Sequence, residues 1–317
     1  MGDDLRVGLV GAGRLAEVGY LPALHAASGV RLVGLAEIDP NRRERVAALA
    51  GVPAFRDAAA LLAAVPLDGL VLATPASAHL ADAGTAAAAG VAVLVEKPPA
   101  INRHQAAELA ALTPTPWIGF NRRFDPGIEA LRAATPAGEE IGVFLEFDYR
   151  RHGWGAHAVT DDALLDVGPH LIDLARWLTR AEVTNVRSAV LSPQRAEFDL
   201  VLGAARARIR CATNRPHRER VEVRHRRGAV FGRHHHGGLL NAVRGRLAPR
   251  SGPHPLVTSL TTQLEAFARA VRGAPEPTLG RASDGLAVMA TIDTVRACAA
   301  GGGRPVTIKT VTITPED

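Results

Sequence analysis

The sequence predicts an α/β protein of two domains: a parallel-sheet domain over residues 1–120, then an α+β domain with a large, open, mainly antiparallel sheet over residues 121–317. Three observations predict it. Up to about residue 100, apolar runs of strand length alternate with helix-length stretches, the pattern of a parallel sheet with helices on both faces. A glycine-rich hexapeptide, Gly11-Ala12-Gly13-Arg14-Leu15-Ala16, separates the first apolar run from the first helix. Beyond Phe120 apolar and polar residues alternate singly over long segments, the period of half-buried strands.

Composition narrows the setting. With 317 residues, 47% of them hydrophobic, the chain can fill a sizeable core. Cys211 and Cys298 are too few for a disulfide framework or a four-ligand zinc site, which suits a reducing compartment. The start, Met1-Gly2-Asp3-Asp4, lacks the basic residues of a signal peptide, and no apolar run reaches membrane-spanning length. A cytoplasmic protein with no membrane partner is expected. Of 35 arginines, 13 lie between Arg206 and Arg250, where the acids are Glu219 and Glu222. Such a cluster can neutralise phosphate, yet Arg206, Arg208 and Arg210 alternate with Ala207, Ile209 and Cys211. That is the wet face of a sheet, and no nucleic-acid partner is expected. Against those arginines stand two lysines, Lys97 and Lys309; the second sits in a polar tail, whereas the first lies where an amine has chemistry to do.

The elements follow in order. Leu5–Val10 is a strand, the glycine turn follows, and a helix runs toward His25. The spacing is the G-x-G-x-x-A form of the Rossmann dinucleotide fingerprint: Gly11 for the tight turn, Gly13 for close approach of pyrophosphate, Ala16 for helix packing. A second strand, Val30–Ala36, ends in Glu37, placed to bind ribose hydroxyls, which favours NAD over NADP; Arg42 and Arg43 partly offset that preference. The rival acid, Asp39, precedes Pro40 and suits a helix cap. Two later strands, Gly69–Ala73 and Val91–Val95, end in Thr74-Pro75-Ala76-Ser77-Ala78-His79 and Glu96-Lys97-Pro98-Pro99, at the edge where such sheets bind ligands.

In the second half, Ala163–Leu178 reads as an apolar helix carrying Asp166, His170 and Asp173 on one face. Pro169 lacks an amide, so the helix is expected to begin within the turn before it. A buried polar stripe is costly unless its members bond one another or a ligand. Arg150, Arg151, His152, Trp154 and His157 precede this helix and are candidates to grip substrate, including an anionic one. Adjacent His234, His235 and His236 seldom converge on one ion, so no metal is expected. With Gly and Pro close behind, they suit an exposed loop able to act as a lid.

The glycine turn, TPASAH (Thr74–His79), EKP (Glu96–Pro98) and LLDVGPHLID (Leu164–Asp173) occur in the order seen in the glucose-fructose oxidoreductase and inositol dehydrogenase (Gfo/Idh/MocA) family. The chain resembles that family along nearly its whole length. GFNRRFDP, with Asn121 and Arg122, is similar to the segment joining the family's two domains. Val159-Thr160-Asp161-Asp162 departs from the glycines usual before the helix. The resemblance implies a dehydrogenase acting on a sugar-like or cyclitol hydroxyl, with Lys97, Asp166 and His170 catalytic. His170 would transfer the proton, with Asp166 orienting it or binding a neighbouring hydroxyl, and Lys97 would donate to the reacting oxygen; the sequence does not divide proton transfer between Lys97 and His170. Gly11, Gly13, Arg14, Leu15, Glu37, Thr74, Pro75, His79, Glu96, Lys97, Asn121 and Arg122 would serve the cofactor, and Arg150, Trp154, His157, Asp166 and His170 the substrate. A homo-oligomer, dimer or tetramer, through the second sheet is expected. An NAD-dependent glycosidase and a non-catalytic regulator are the competing classes.

Overall fold

The computed structural model describes residues 4–154, 161–225, 227–237 and 254–308. They divide into two compact units: residues 4–124 with 254–286, and residues 125–237 with 287–308.

In the first unit, β1 (Leu5–Val10), β2 (Val30–Ala36), β3 (Ala54–Phe55), β4 (Gly69–Leu72), β5 (Ala92–Glu96) and β6 (Trp117–Gly119) form a parallel sheet in the order β3-β2-β1-β4-β5-β6. β13 (Gly280–Arg281) closes its edge antiparallel to β6. β4 is buried along its whole length and β1 and β5 nearly so, as strands covered on both faces must be. Connecting helices start where short polar side chains accept backbone amides. Asp39 caps α2 (Pro40–Ala50), the role expected for it, Asp57 caps α3 (Ala58–Ala64) and Asn102 caps α5 (Arg103–Ala110). Between them, α4 (Ala76–Ala88) begins after Pro75. The first helix opens as a π-helical turn, Ala16–Tyr20, and continues as α1 (Leu21–Ala26).

Dividing the chain at residue 120 assigned everything beyond it to the second domain, whereas residues 121–124 and 254–286 pack on the first unit. The reason is the apolar stripe of α8 (Pro255–Val271): Leu260, Leu264 and Phe267 are fully buried in one core with Tyr20, Ala23 and Leu24. Phe267 meets Trp117 edge-on, ring centroids 5.6 Å apart.

In the second unit, β7 (Ile141–Arg150), β8 (Asn185–Ser192), β9 (Arg195–Leu202), β10 (Ala205–Ala212), β11 (Asn214–His225), β12 (Val230–Gly237) and β14 (Val306–Thr307) form a sheet ordered β12-β11-β7-β10-β9-β8-β14. It is antiparallel except where β10 runs parallel to β7. α7 (Ala163–Thr179) lies on β7, β9 and β10, and α6 (Pro126–Ala134) on β12. Ala207, Ile209 and Cys211 are buried while Arg206, Arg208 and Arg210 are exposed, so the arginine alternation marks the wet face. There Arg208 pairs with Asp199 at 2.8 Å and Arg210 with Glu197 at 2.9 Å, across neighbouring strands. Glu222, buried among Arg224, Arg220 and Arg233, is held down at about 2, because the Arg224 hydrogen bond and its neighbours outweigh burial.

Two local expectations change. The histidine tract lies on β12 rather than in a loop, since its residues pair in register with β11: His234 with Val221 and His236 with Glu219. The glycine- and proline-rich stretch behind it, 238–253, lies outside the described residues, as do Lys309 and the Val159–Thr160 pair before the helix. Pro169 falls well inside α7, which begins at Ala163 under an Asp162 cap bonded to the Leu165 amide at 2.7 Å. Leu165 therefore forgoes the donor that Pro169 cannot supply. Among the described residues, no helix is long and apolar enough to cross a membrane.

Phe267→Ala is expected to lower stability by about 3–5 kcal/mol in urea unfolding, as for other buried aromatics. Val190→Ser, at a side chain 75% exposed, should stay within about 0.5 kcal/mol.

Candidate active site

In the first unit the chain runs outward from the middle of the sheet in both directions, β1 to β3 on one side and β4 to β6 on the other. The carboxyl ends of β1 and β4 therefore flank a topological switch point, where open α/β sheets hold ligands. The glycine turn, Thr74–Pro75 and Glu96–Lys97 all follow strand ends at that edge.

The turn is locked by its backbone. Gly11 has φ +90°, and a Cβ there would stand 2.7 Å from the Ala73 carbonyl oxygen, so only glycine fits. A Cβ on Gly13 would meet nothing within 4 Å; the turn leaves an open cradle, as close approach of a pyrophosphate requires. Arg14 is exposed and Leu15 half-buried beside it. Glu37, 6% exposed, ties the turn to β2: Oε2 accepts from the Ala12 amide at 2.8 Å and Oε1 from the Asp39 amide at 3.0 Å. Arg42 approaches Oε2 at 3.5 Å, and Arg43 donates to the Glu37 carbonyl at 2.8 Å.

His79 is 1% exposed, with Nε2 2.8 Å from the Thr74 carbonyl and Nδ1 3.1 and 3.3 Å from the carbonyls of Pro98 and Pro99. Both nitrogens are thus spent on backbone, and the ring ties the turn after β4 to the one after β5. Burial pushes it down to about 4 despite the three carbonyls. Lys97 is half-buried, and its amide donates to Glu96 Oε2 at 2.9 Å. Asn121 is buried with its amide on Ser259 Oγ at 3.1 Å; Arg122 is half-buried; buried Arg123 pairs with Asp284 at 3.1 Å.

In the second unit, Asp166 and His170 stand one turn apart on the same face of α7, both half-buried. One carboxylate oxygen, Asp166 Oδ2, accepts from Arg151 Nη2 at 2.7 Å and also from the Tyr149 hydroxyl. Burial, then the Asp166 charge, pushes that phenol well above its ordinary range, so it remains a donor. Arg151, a candidate to grip substrate, thus reaches the Asp166 carboxylate, whereas Arg150 is exposed, opposite Asn214. Tyr149 went unread: a tyrosine on an alternating strand gives no signal until the strand is laid beside α7. Asp173, 1% exposed, lies 4.0 Å from Arg176, which also holds Glu182. Trp154 ends the 3-10 turn Arg151–Trp154, and His157 lies outside the described residues. Among the described residues no cluster of three or more His, Cys, Asp or Glu is disposed to hold a metal.

Fold and turn together have the form of a dinucleotide-binding domain, and residues 5–115 match the family described as "Oxidoreductase family, NAD-binding Rossmann fold". Over those residues the chain is similar to the glucose-fructose oxidoreductase, inositol dehydrogenase and MocA family. It is 32% identical over 194 residues to the rhizopine catabolism protein MocA of Rhizobium meliloti, covering 58% of this chain and 60% of that protein. It is 30% identical over 218 residues to inositol 2-dehydrogenase of Pseudomonas fluorescens, covering 65% of this chain and 62% of that protein. The chain thus spans less than two thirds of the length of these relatives. Among solved structures it is similar to scyllo-inositol dehydrogenase from Lactobacillus casei, crystallised with NAD(H) and scyllo-inositol, with TM-score 0.80 and 16% identity over 96% of this chain and 99% of that one. At that identity the likeness is one of fold.

Gly13→Ala should fold as the parent does yet bind dinucleotide at least about tenfold more weakly in a fluorescence titration. Gly11→Ala should lose about 1–2 kcal/mol of stability or more from backbone strain alone. His79 predicts a pH dependence. With its folded value at about 4 and its unfolded value near 6.5, the unfolded chain binds the extra proton between them. Stability is full above pH 6.5 and falls as pH drops toward 4, a slope that His79→Gln should remove from melting curves.

Proposed function

We propose that this protein is an NAD-dependent oxidoreductase that moves a hydride between the nicotinamide and a secondary hydroxyl of a cyclitol or sugar. The observation that carries the reading is the glycine turn and the buried Glu37 joined in one hydrogen-bonded unit, an acid at the ribose end of an open phosphate cradle. Glu37 favours NAD; Arg42, beside it, leaves NADP as the weaker partner. When bound, the cofactor supplies the hydride acceptor or donor. Lys97 donates to the reacting oxygen, and His170 takes its proton as the carbinol is oxidised to the ketone and the hydride departs with its electron pair. Asp166, held by Arg151 and Tyr149, fixes the polar face of α7 for the neighbouring hydroxyl.

The similarity to inositol 2-dehydrogenases supports a polyol substrate, and the pairing of Arg151 with Asp166 favours a neutral one over the anionic alternative. Free, buried Cys211 and Cys298 support a cytoplasmic setting. Assembly of two or four copies through the second sheet belongs to the same reading and rests on the resemblance to the family, since the face away from α7 carries paired charges.

Purified protein would be titrated with NAD, NADH, NADP and NADPH, then assayed with myo-inositol, scyllo-inositol and neutral hexoses. The expected result is preferential NAD(H) binding and NADH formation with at least one polyol. Lys97→Ala and His170→Ala should each lower kcat/KM by about 10²–10⁴ while retaining the parent's melting curve. Cleavage of a glycoside without net NADH would replace this reading with the glycosidase, and binding of no dinucleotide with a regulator.

A further inference from the structure

Next to Lys97 the first unit buries a carboxylate that the proton and hydride steps do not use. Glu96 ends β5 and is 4% exposed. Its Oε1 accepts from the Tyr20 hydroxyl at 2.6 Å, and its Oε2 from the Lys97 amide at 2.9 Å. Tyr20 is itself fully buried and closes the π-helical turn, a rare widening of a helix that recurs at functional sites. Gly119 of β6 completes the surround, where a Cβ would come within 3.2 Å of Glu96 Oε1. Three separate elements therefore converge on one carboxyl group.

One donor on each oxygen is the bonding pattern of the ionised form. Burial pushes the Glu96 carboxyl above its ordinary value, while the Lys97 charge and the two donors pull it back. A charge this enclosed is costly, and nothing in the packing of a strand end requires one. Its place in the sheet suggests what it serves. β5 lies on the opposite side of the switch point from β2, where Glu37 marks the adenosine end. Glu96 thus stands in the nicotinamide half of the domain. A nicotinamide ring carries a positive charge when oxidised and none when reduced, so a fixed, poorly screened anion discriminates between the two forms.

We propose that Glu96, clamped by Tyr20, sets the redox poise of the bound cofactor by tightening the oxidised dinucleotide relative to the reduced one. The inference rests on the nicotinamide-binding reading above. Glu96 needs no contact with the ring: it acts through its field, and Lys97, of opposite charge, acts against it. The pair would let the enzyme hold NAD firmly before reaction and release NADH afterwards.

The test is the ratio of dissociation constants, Kd(NAD) over Kd(NADH), measured by nicotinamide fluorescence and calorimetry on the full-length protein. Glu96→Gln keeps the size of the side chain and removes its charge. It should raise the ratio on the order of tenfold, the effect of a unit charge across roughly 10 Å at an effective dielectric of about 20. For a two-electron couple that is a rise of about 30 mV in the potential of the bound cofactor. Tyr20→Phe removes a donor that stabilises the charged form, so the carboxyl holds its proton more of the time and the ratio should move the same way by roughly threefold. Lys97→Met should move it in the opposite direction. A merely structural Glu96 would weaken both forms equally and leave the ratio fixed. Should Glu96→Gln fail to fold, Tyr20→Phe and Lys97→Met decide the matter by the signs of their shifts. Ratios unchanged in the folded variants, with wild type binding both forms, would overturn the role of Glu96 alone. Wild type binding neither form would overturn the cofactor reading as well.

Discussion

The first unit depends on backbone and side-chain donors being brought to buried acids at the carboxyl edge of its sheet. An anion removed from water is tolerated only where donors converge on it. Glu37 has two backbone amides and a nearby guanidinium; Glu96 has a phenol and an amide. Each acid joins chain segments far apart in sequence, so each works as a fastener as well as a charge. The glycine turn is fixed to β2 by Glu37, and Tyr20 of the first helix is fixed to β5 by Glu96. His79 applies the same logic in reverse, its ring set among three carbonyl oxygens with its one N–H donating to backbone. The glycine turn and Lys97 are thereby placed by contacts within the fold itself.

The second unit solves a different problem. Its sheet has one face covered by α6 and α7 and the other lined with arginines and acids in cross-strand pairs. Alternation along β9 and β10 sends every other side chain to the core, which lets one short segment supply both a buried face and a charged one. α7 is almost wholly buried, and two of its acids are matched individually: Asp166 by Arg151 and Tyr149, Asp173 beside Arg176. An acid flanked by a cation and a phenol is held in one orientation with its charge balanced.

Much of this was legible in the chain. Strand and helix order in the first half followed from apolar runs and caps, because those signals are local: an Asp before a Pro announces a helix start wherever it lies. The glycine turn could be read since φ +90° at Gly11 admits no side chain. The alternating arginines announced a sheet face for the same reason, a two-residue period imposed by the backbone. The histidine tract misled, because glycines and prolines behind it outweighed the local pattern, while pairing with β11 is a long-range fact. Pro169 misled in the other direction: a helix buried on most of its surface tolerates a missing amide that a marginal one would not.

By itself the sequence determined the order of strands and helices in the first half, where its turns fall and which residue types reach the carboxyl edge of its sheet, since periodicity, capping and φ restrictions act within a few residues. Only the tertiary structure decided that residues 254–286 complete the first unit, that Tyr20 reaches Glu96, and that Tyr149 and Arg151 hold Asp166. Those outcomes depend on apolar faces finding one another across long stretches of chain and on buried charges finding donors. Neither partner carries a local mark of the other, so the match appears only once both are folded.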